Sequence, residues 1–212
     1  MTIAVDHLVV AVHTLEEGVQ WCEAALGITP GPGGKHPLMS THNRLFSIAS
    51  DAFPKVYLEI VAIDPDAPPP GRARWFGLDT LDLSSGPRLI TFVARTIALD
   101  ATLAASRDAG FDGGRALAAS RETPAGLLRW RIAVRDDGAV LCGGAMPTLI
   151  EWGEHHPASS MPASGVSLRS LVLRCVPRAA LDMTQATFAD DTGPALEVQL
   201  GTPRGTITLA SS

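Results

Sequence analysis

Two glutamates interrupt otherwise apolar strand-like runs: Glu59 in Val56-Tyr57-Leu58-Glu59-Ile60-Val61-Ala62-Ile63 and Glu151 in Leu149-Ile150-Glu151-Trp152. A carboxylate with apolar neighbours on both sides is costly to bury unless a cation, a proton or hydrogen-bond donors compensate it. Such a group can ligate a metal, or shuttle a proton once burial has raised its pKa. The plainer alternatives are a structural acceptor for buried donors at Glu59 and a partly exposed strand end at Glu151. A second set of reactive types lies in Gly33-Gly34-Lys35-His36-Pro37 and Thr41-His42-Asn43. Glycines let backbone amides approach a ligand, while Lys35, His36, His42 and Asn43 offer donors to carboxylate or carbonyl oxygens, and His36 can also act in acid–base work. The spacing is not that of a phosphate-binding loop, and an exposed polar turn is the ordinary alternative.

These residues must be held by elements, and the elements repeat. Residues 3–12 form a Val-rich strand pattern, and Thr14-Leu15-Glu16-Glu17 then supplies a capping box for a helix that stops at Gly27. Leu15, Val19, Cys22 and Leu26 share one helical face, which predicts that this helix covers a sheet. The unit recurs as a strand over residues 89–95 and a helix from Leu99 to a stop at Gly110. Short strands separated by turn residues follow each helix, near residues 43–49 and 56–63 in the first unit and near 116–120, 127–134 and 148–152 in the second. A partial third copy starts at residue 166, with Pro177 placed to open its helix and strands at 195–200 and 206–209 to close it. The expected class is therefore α+β: two β-α-β-β-β modules over residues 1–72 and 73–157, with a partial β-α-β-β repeat over 158–212 packed on the same domain. Trp75-Phe76-Gly77-Leu78 predicts a short helix in the connection between modules.

Composition narrows the partners. The chain has 212 residues, 46% hydrophobic and 18% charged, with a net charge of -5 and no run of Lys or Arg, which points away from nucleic acid and anionic membranes and toward a small-molecule ligand. No stretch approaches the roughly 20 apolar residues of a membrane span, and the first residues lack the basic start and apolar core of a signal peptide, so the cytoplasm is expected. Cys22, Cys142 and Cys175 are widely spaced and odd in number, as reduced thiols would be. There is no nucleophile elbow, Cys-x-x-Cys pair or dinucleotide fingerprint in strand–helix context.

Paired modules of this kind, with Asp6-His7-Leu8-Val9-Val10 in the first strand, the Gly33–Asn43 segments just described, Tyr57-Leu58-Glu59, Arg121 with Pro124, Gly126 and Trp130, Ile150-Glu151-Trp152 and His156-Pro157, resemble the vicinal oxygen chelate superfamily, and most closely its glyoxalase-like domain branch. The resemblance covers most of the chain. It implies cupped mixed sheets enclosing a small-molecule pocket, and modules of this type often pair between chains, so a homodimer is expected. It also implies a divalent metal such as Zn, Ni, Mn or Fe. Carried over residue by residue, the ligands are His7, Glu59 and Glu151, because the position matching His7 in the second module is Thr91, a poor ligand for such metals. Alternation puts Ile3, Val5, His7, Val9 and Ala11 on one face of the first strand and Tyr57, Glu59, Val61 and Ile63 on one face of the fourth, so that His7 and Glu59 can both face the concave side.

Under this resemblance Glu59, Glu151 and His36 are the candidate catalytic groups. Lys35, His36, His42, Asn43, Arg121, Trp130 and Trp152 are the candidate substrate contacts. The implied chemistry is a metal-assisted lyase, isomerase or dioxygenase step on a small oxygen-rich metabolite. The alternative is a metal-free binding protein similar to the antibiotic-sequestering members, and a third is a structural or assembly role.

Overall fold

The computed structural model describes residues 3–123 and 126–211; Pro124, one of the residues carrying the resemblance, lies outside them. The first module comprises β1 (Ala4–Ala11), α1 (Leu15–Trp21), β2 (Lys35–His36), β3 (Thr41–Ser47) and β4 (Tyr57–Ile63). The second comprises β5 (Arg88–Arg95), α2 (Leu99–Asp108), β6 (Arg115–Thr123), β7 (Gly126–Val134) and β8 (Thr148–Trp152). Local chemistry sets the helix ends as expected. Thr14 accepts a hydrogen bond from the Glu17 amide at 3.1 Å, and α1 runs through a π turn, Cys22–Leu26, to Gly27 at φ 75°. Gly18 lets α1 lie directly on β4, since a Cβ there would stand 2.4 Å from Ile60 Cγ2.

The eight strands of the two modules form one mixed sheet in the order β2-β3-β4-β1-β5-β8-β7-β6. In each module the first strand pairs parallel with the last, β1 with β4 and β5 with β8, and the antiparallel β1–β5 pair joins the modules at the centre. This is the expected α+β class of paired modules. One face of the sheet is covered by the helices and a second sheet, with Leu8, Val10, Leu58, Ile60 and Phe92 in that core. The other, cupped face carries Val9, Val61, Val93, Trp130 and Ile150.

The third repeat builds the second sheet from β9 (Ser167–Leu173), β10 (Thr187–Phe188), β11 (Leu196–Thr202) and β12 (Gly205–Ala210), in the order β10-β9-β11-β12. Its connection is a single 3-10 turn at Arg178–Ala180 in place of an α-helix. The cause is a period of two rather than 3.6 just beyond: Leu181 and Met183 are buried on either side of exposed Asp182, which holds the chain extended. The Leu168 amide donates to Ile48 O at 2.8 Å and Ser50 Oγ donates to Leu168 O at 2.8 Å, tying this sheet to the first module.

One irregularity positions the site. The β1–β5 register slips between Val5 and His7, a bulge at Asp6. His7, Val9 and Ala11 stay on the cupped side, but Ile3 and Val5 turn into the helix-side core with Leu8 and Val10. Simple alternation through Ile3 and Val5 therefore fails, because the extra residue reverses the phase. No helix of the described residues is long and apolar enough to cross a membrane.

Candidate functional site

The bulge brings two consecutive side chains together, which a regular strand would send to opposite faces. Asp6 Oδ1 lies 2.7 Å from His7 Nδ1. Asp6 is fully buried, and its Oδ2 accepts from Trp152 Nε1 at 3.0 Å and pairs with His156 Nε2 at 2.9 Å. Burial alone would raise the Asp6 pKa, but the hydrogen bonds to His156 and His7 outweigh it and hold the carboxyl well below the usual range.

The other ring nitrogen of His7, Nε2, lies 3.5 Å from Glu59 Oε2, and the ring stacks on Tyr57 with centroids 4.5 Å apart. Burial pushes His7 down, yet its hydrogen bonds to Asp6 and Glu59 carry it up to about 9. Glu59 moves the opposite way: burial would raise it, while the His7 contact and the Asn43 amide bring it down to about 2. At neutral pH this is an imidazolium between two carboxylates, not a protonated glutamate.

Asn43 closes the arrangement. Its Oδ1 accepts from the Gly34 amide at 2.8 Å and from Arg121 Nη1 at 3.4 Å, which fixes which end of the amide faces inward. Its Nδ2 then donates to Glu59 Oε1 at 2.6 Å and reaches His36 Nε2 at 3.3 Å. His36 Nε2 can accept only as a neutral imidazole with its proton on Nδ1, where Thr41 Oγ1 stands 3.0 Å away. Burial, first of all, pushes His36 down to about 4 and keeps it neutral. Gly34 and Gly33 have to be glycine for this packing: a Cβ would fall 2.4 Å from Arg121 Nη1 at Gly34 and 1.9 Å from Asn43 O at Gly33.

These groups line a narrow cleft, partly open to solvent, on the cupped face. Its walls are Tyr57, Trp75, Phe76, Trp130 and Trp152, with Trp130 and Trp152 5.7 Å apart and Trp75 edge-on to His36 at 5.0 Å. Among the sequence candidates, His7, His36, Asn43, Glu59, Arg121, Trp130 and Trp152 all border this cleft.

Lys35, His42 and Glu151 do not. Lys35 and His42 are register partners on the reverse side of the β2–β3 hairpin, opposite to the His36–Thr41 pair, and Lys35 Nζ reaches Asp64 at 2.8 Å. Glu151 is paired with Arg131 at 3.2 Å, and Arg131 also clamps Asp100 of α2 at 2.8 Å. Register explains the placement. Val9 stands beside Glu59 in β1–β4, whereas the matching Val93 stands beside Thr148 in β5–β8. Glu151 lies three residues past that counterpart and so faces the helices, while Ile150 and Trp152 face the cleft.

The donor set does not fit a divalent metal. Among the described residues no group of three or more His, Cys, Asp or Glu side chains is placed to hold an ion. Both oxygens of Glu59 are already engaged, by Asn43 and His7. Thr91, the counterpart of His7, spends its hydroxyl on Gly144 O at 3.1 Å.

Asp6, Tyr57, Trp75 and His156 belong to the site but were not among the sequence candidates. Asp6 next to His7 was the available signal. His156 reads as a residue of a Pro/Ser-rich seam and declares its role only through its bond to Asp6.

Known proteins bear on this geometry through fold. No curated protein matches the chain. A hypothetical protein from Staphylococcus aureus is similar in structure, with a TM-score of 0.60 at 12% identity, covering 100% of this chain and 87% of that one. A methylmalonyl-CoA epimerase from Streptomyces coelicolor is similar at 17% identity with a TM-score of 0.45, covering 72% of this chain and 96% of that one. The glyoxalase-like domain family matches residues 5–188, nearly the full span of both modules and part of the third repeat, and the chain belongs to that family, within the vicinal oxygen chelate superfamily.

Proposed function

We propose that the chain binds one small oxygen-bearing metabolite in the cleft and does so without a divalent metal. The observation that carries this reading is the closed His7–Glu59 pair: Asp6 and Asn43 satisfy its outer atoms, so the charges are balanced by the protein's own groups. The cleft is thus already organised for a ligand, with fixed donors and aromatic walls, which lowers the ordering cost of binding. A catalytic reading rests on one further observation. His7 is an imidazolium in the cleft with a pKa of about 9, suited to donate a proton to a substrate oxygen in a lyase or isomerase step.

A thermal-shift screen of small carboxylates, keto acids and phenols tests the binding reading. At a ligand concentration near 100 Kd the stabilisation is about 2.7 kcal/mol, which for a domain of this size is a rise of several degrees in Tm. The rise is expected to be unchanged by EDTA. Stabilisation that appears only with an added divalent metal, or none from any compound, would overturn the reading.

A further inference from the structure

The cleft also carries information about the ligand's shape and charge, and the inference from it rests on the binding reading above. Three of the four tryptophans in the chain and its single tyrosine wall this one cavity. Flat aromatic walls of this kind select a flat ligand, because offset and edge-to-face contacts need planar surfaces on both sides. The charges are equally specific. His7 answers Glu59, and Asp6 is answered by the Arg95 guanidinium at 4.0 Å together with its bonds to His7, His156 and Trp152. Arg121 alone is left over: its guanidinium touches only the Asn43 amide oxygen, at 3.4 Å, and among the described residues it has no carboxylate within ion-pair distance. Gly34, by lacking a Cβ, makes the room in which Arg121 lies. A planar fork of N–H donors fits a carboxylate bidentately. A second feature points the same way. Trp75 is 5% exposed and its Nε1–H is buried without an acceptor in the protein, on the wall of the same cleft. A buried indole N–H normally finds a partner, and a ligand oxygen supplies one.

We infer that the ligand is a planar, conjugated or aromatic monocarboxylate, its carboxylate on Arg121 and its flat body between the tryptophans. One guanidinium answers one negative charge; a second carboxylate would meet no free cation. Compounds that vary one property at a time separate these claims: benzoate, its neutral analogue benzamide, the non-planar cyclohexanecarboxylate and the dianion phthalate. Binding is read by the indole N–H signals in 1H–15N spectra of the full chain. Benzoate is expected to bind at least tenfold more tightly than the other three and to shift the Trp75 indole signal. Arg121→Ala should lose at least tenfold in benzoate affinity. Gly34→Ala, which displaces the flexible end of Arg121 rather than backbone, should lose a similar factor in a folded protein. Equal binding of benzamide or cyclohexanecarboxylate, no binding by any of the four, or undiminished binding by Arg121→Ala would overturn the inference. Its failure is distinguishable from failure of the binding reading: a metabolite screen that returns a neutral or non-planar ligand for the cleft sinks only the shape and charge assignment.

Discussion

Asp6→Ala is expected to lower the stability of the folded chain by about 3–5 kcal/mol, the usual consequence of removing one partner of a buried ion pair. The carboxylate is fully buried and ties its neighbour His7 in β1 to Trp152 in β8 and His156 in the seam beyond. Its loss leaves an imidazolium in the interior with only Glu59, and an indole N–H and a second imidazole with no acceptor. Each unpaired buried donor adds about 1–3 kcal/mol of desolvation, part of which the His7 ring avoids by giving up its proton. Against a total stability of about 5–15 kcal/mol this is a large fraction. Urea unfolding followed by tryptophan fluorescence measures it. A loss under about 1 kcal/mol would show that Asp6 is not the anchor described here.

The second large effect is on the pH dependence of stability, which should peak near pH 6.5 and fall on both sides. The alkaline limb belongs to His7. Its folded pKa, about 9, lies above the ordinary 6.5, so its contribution is complete below 6.5 and is lost as pH rises through 9. The acid limb has three sources around the cleft: His36, Glu59 and Asp6, whose carboxyl is also held well below its ordinary range. His36 titrates at about 4 when folded, so from 6.5 downward the unfolded chain takes up a proton that the folded chain refuses, and stability falls. Glu59, lowered from 4.5 to about 2, adds to the loss as pH drops below 4.5. Denaturant unfolding between pH 3 and 9.5 checks the profile. In Glu59→Gln the imidazolium of His7 loses one of its two carboxylates, so the alkaline limb should move to lower pH and become shallower. An unchanged limb in that variant would mean that His7 does not carry it.

Much of this architecture is visible in the residues themselves, because it depends on local rules. The Thr14 cap, the Gly27 stop and the period-two pattern of β4 are set by residues within one element, and they place Glu59 beside Tyr57 on the cupped side. What escapes is what depends on pairing between distant strands. The bulge at Asp6 exists only against β5, and without it Asp6 and His7 would point apart. Glu151 shows the same limit. Its neighbours make it look like a second Glu59, but the face it takes is set by the β5–β8 register, and a displacement of an odd number of residues sends it to the helices. Lys35 and His42 share a loop with His36 and Asn43, yet hairpin alternation turns them outward. Trp75 reaches the cleft from the connection between modules, where neither periodicity nor spacing marks it.

His7 and Glu59 form a charge pair completed by the protein, and they are expected to keep it in the presence of metal. Adding Mn2+ to the 15N-labelled chain while recording the His7 imidazole signals tests it directly, since a paramagnetic ion at the pair would broaden them first. The His7 ring nitrogens are expected to stay protonated and sharp at neutral pH through a severalfold excess of Mn2+. Selective loss of the His7 signals at stoichiometric Mn2+, reversed by EDTA and absent in Glu59→Gln, would contradict it.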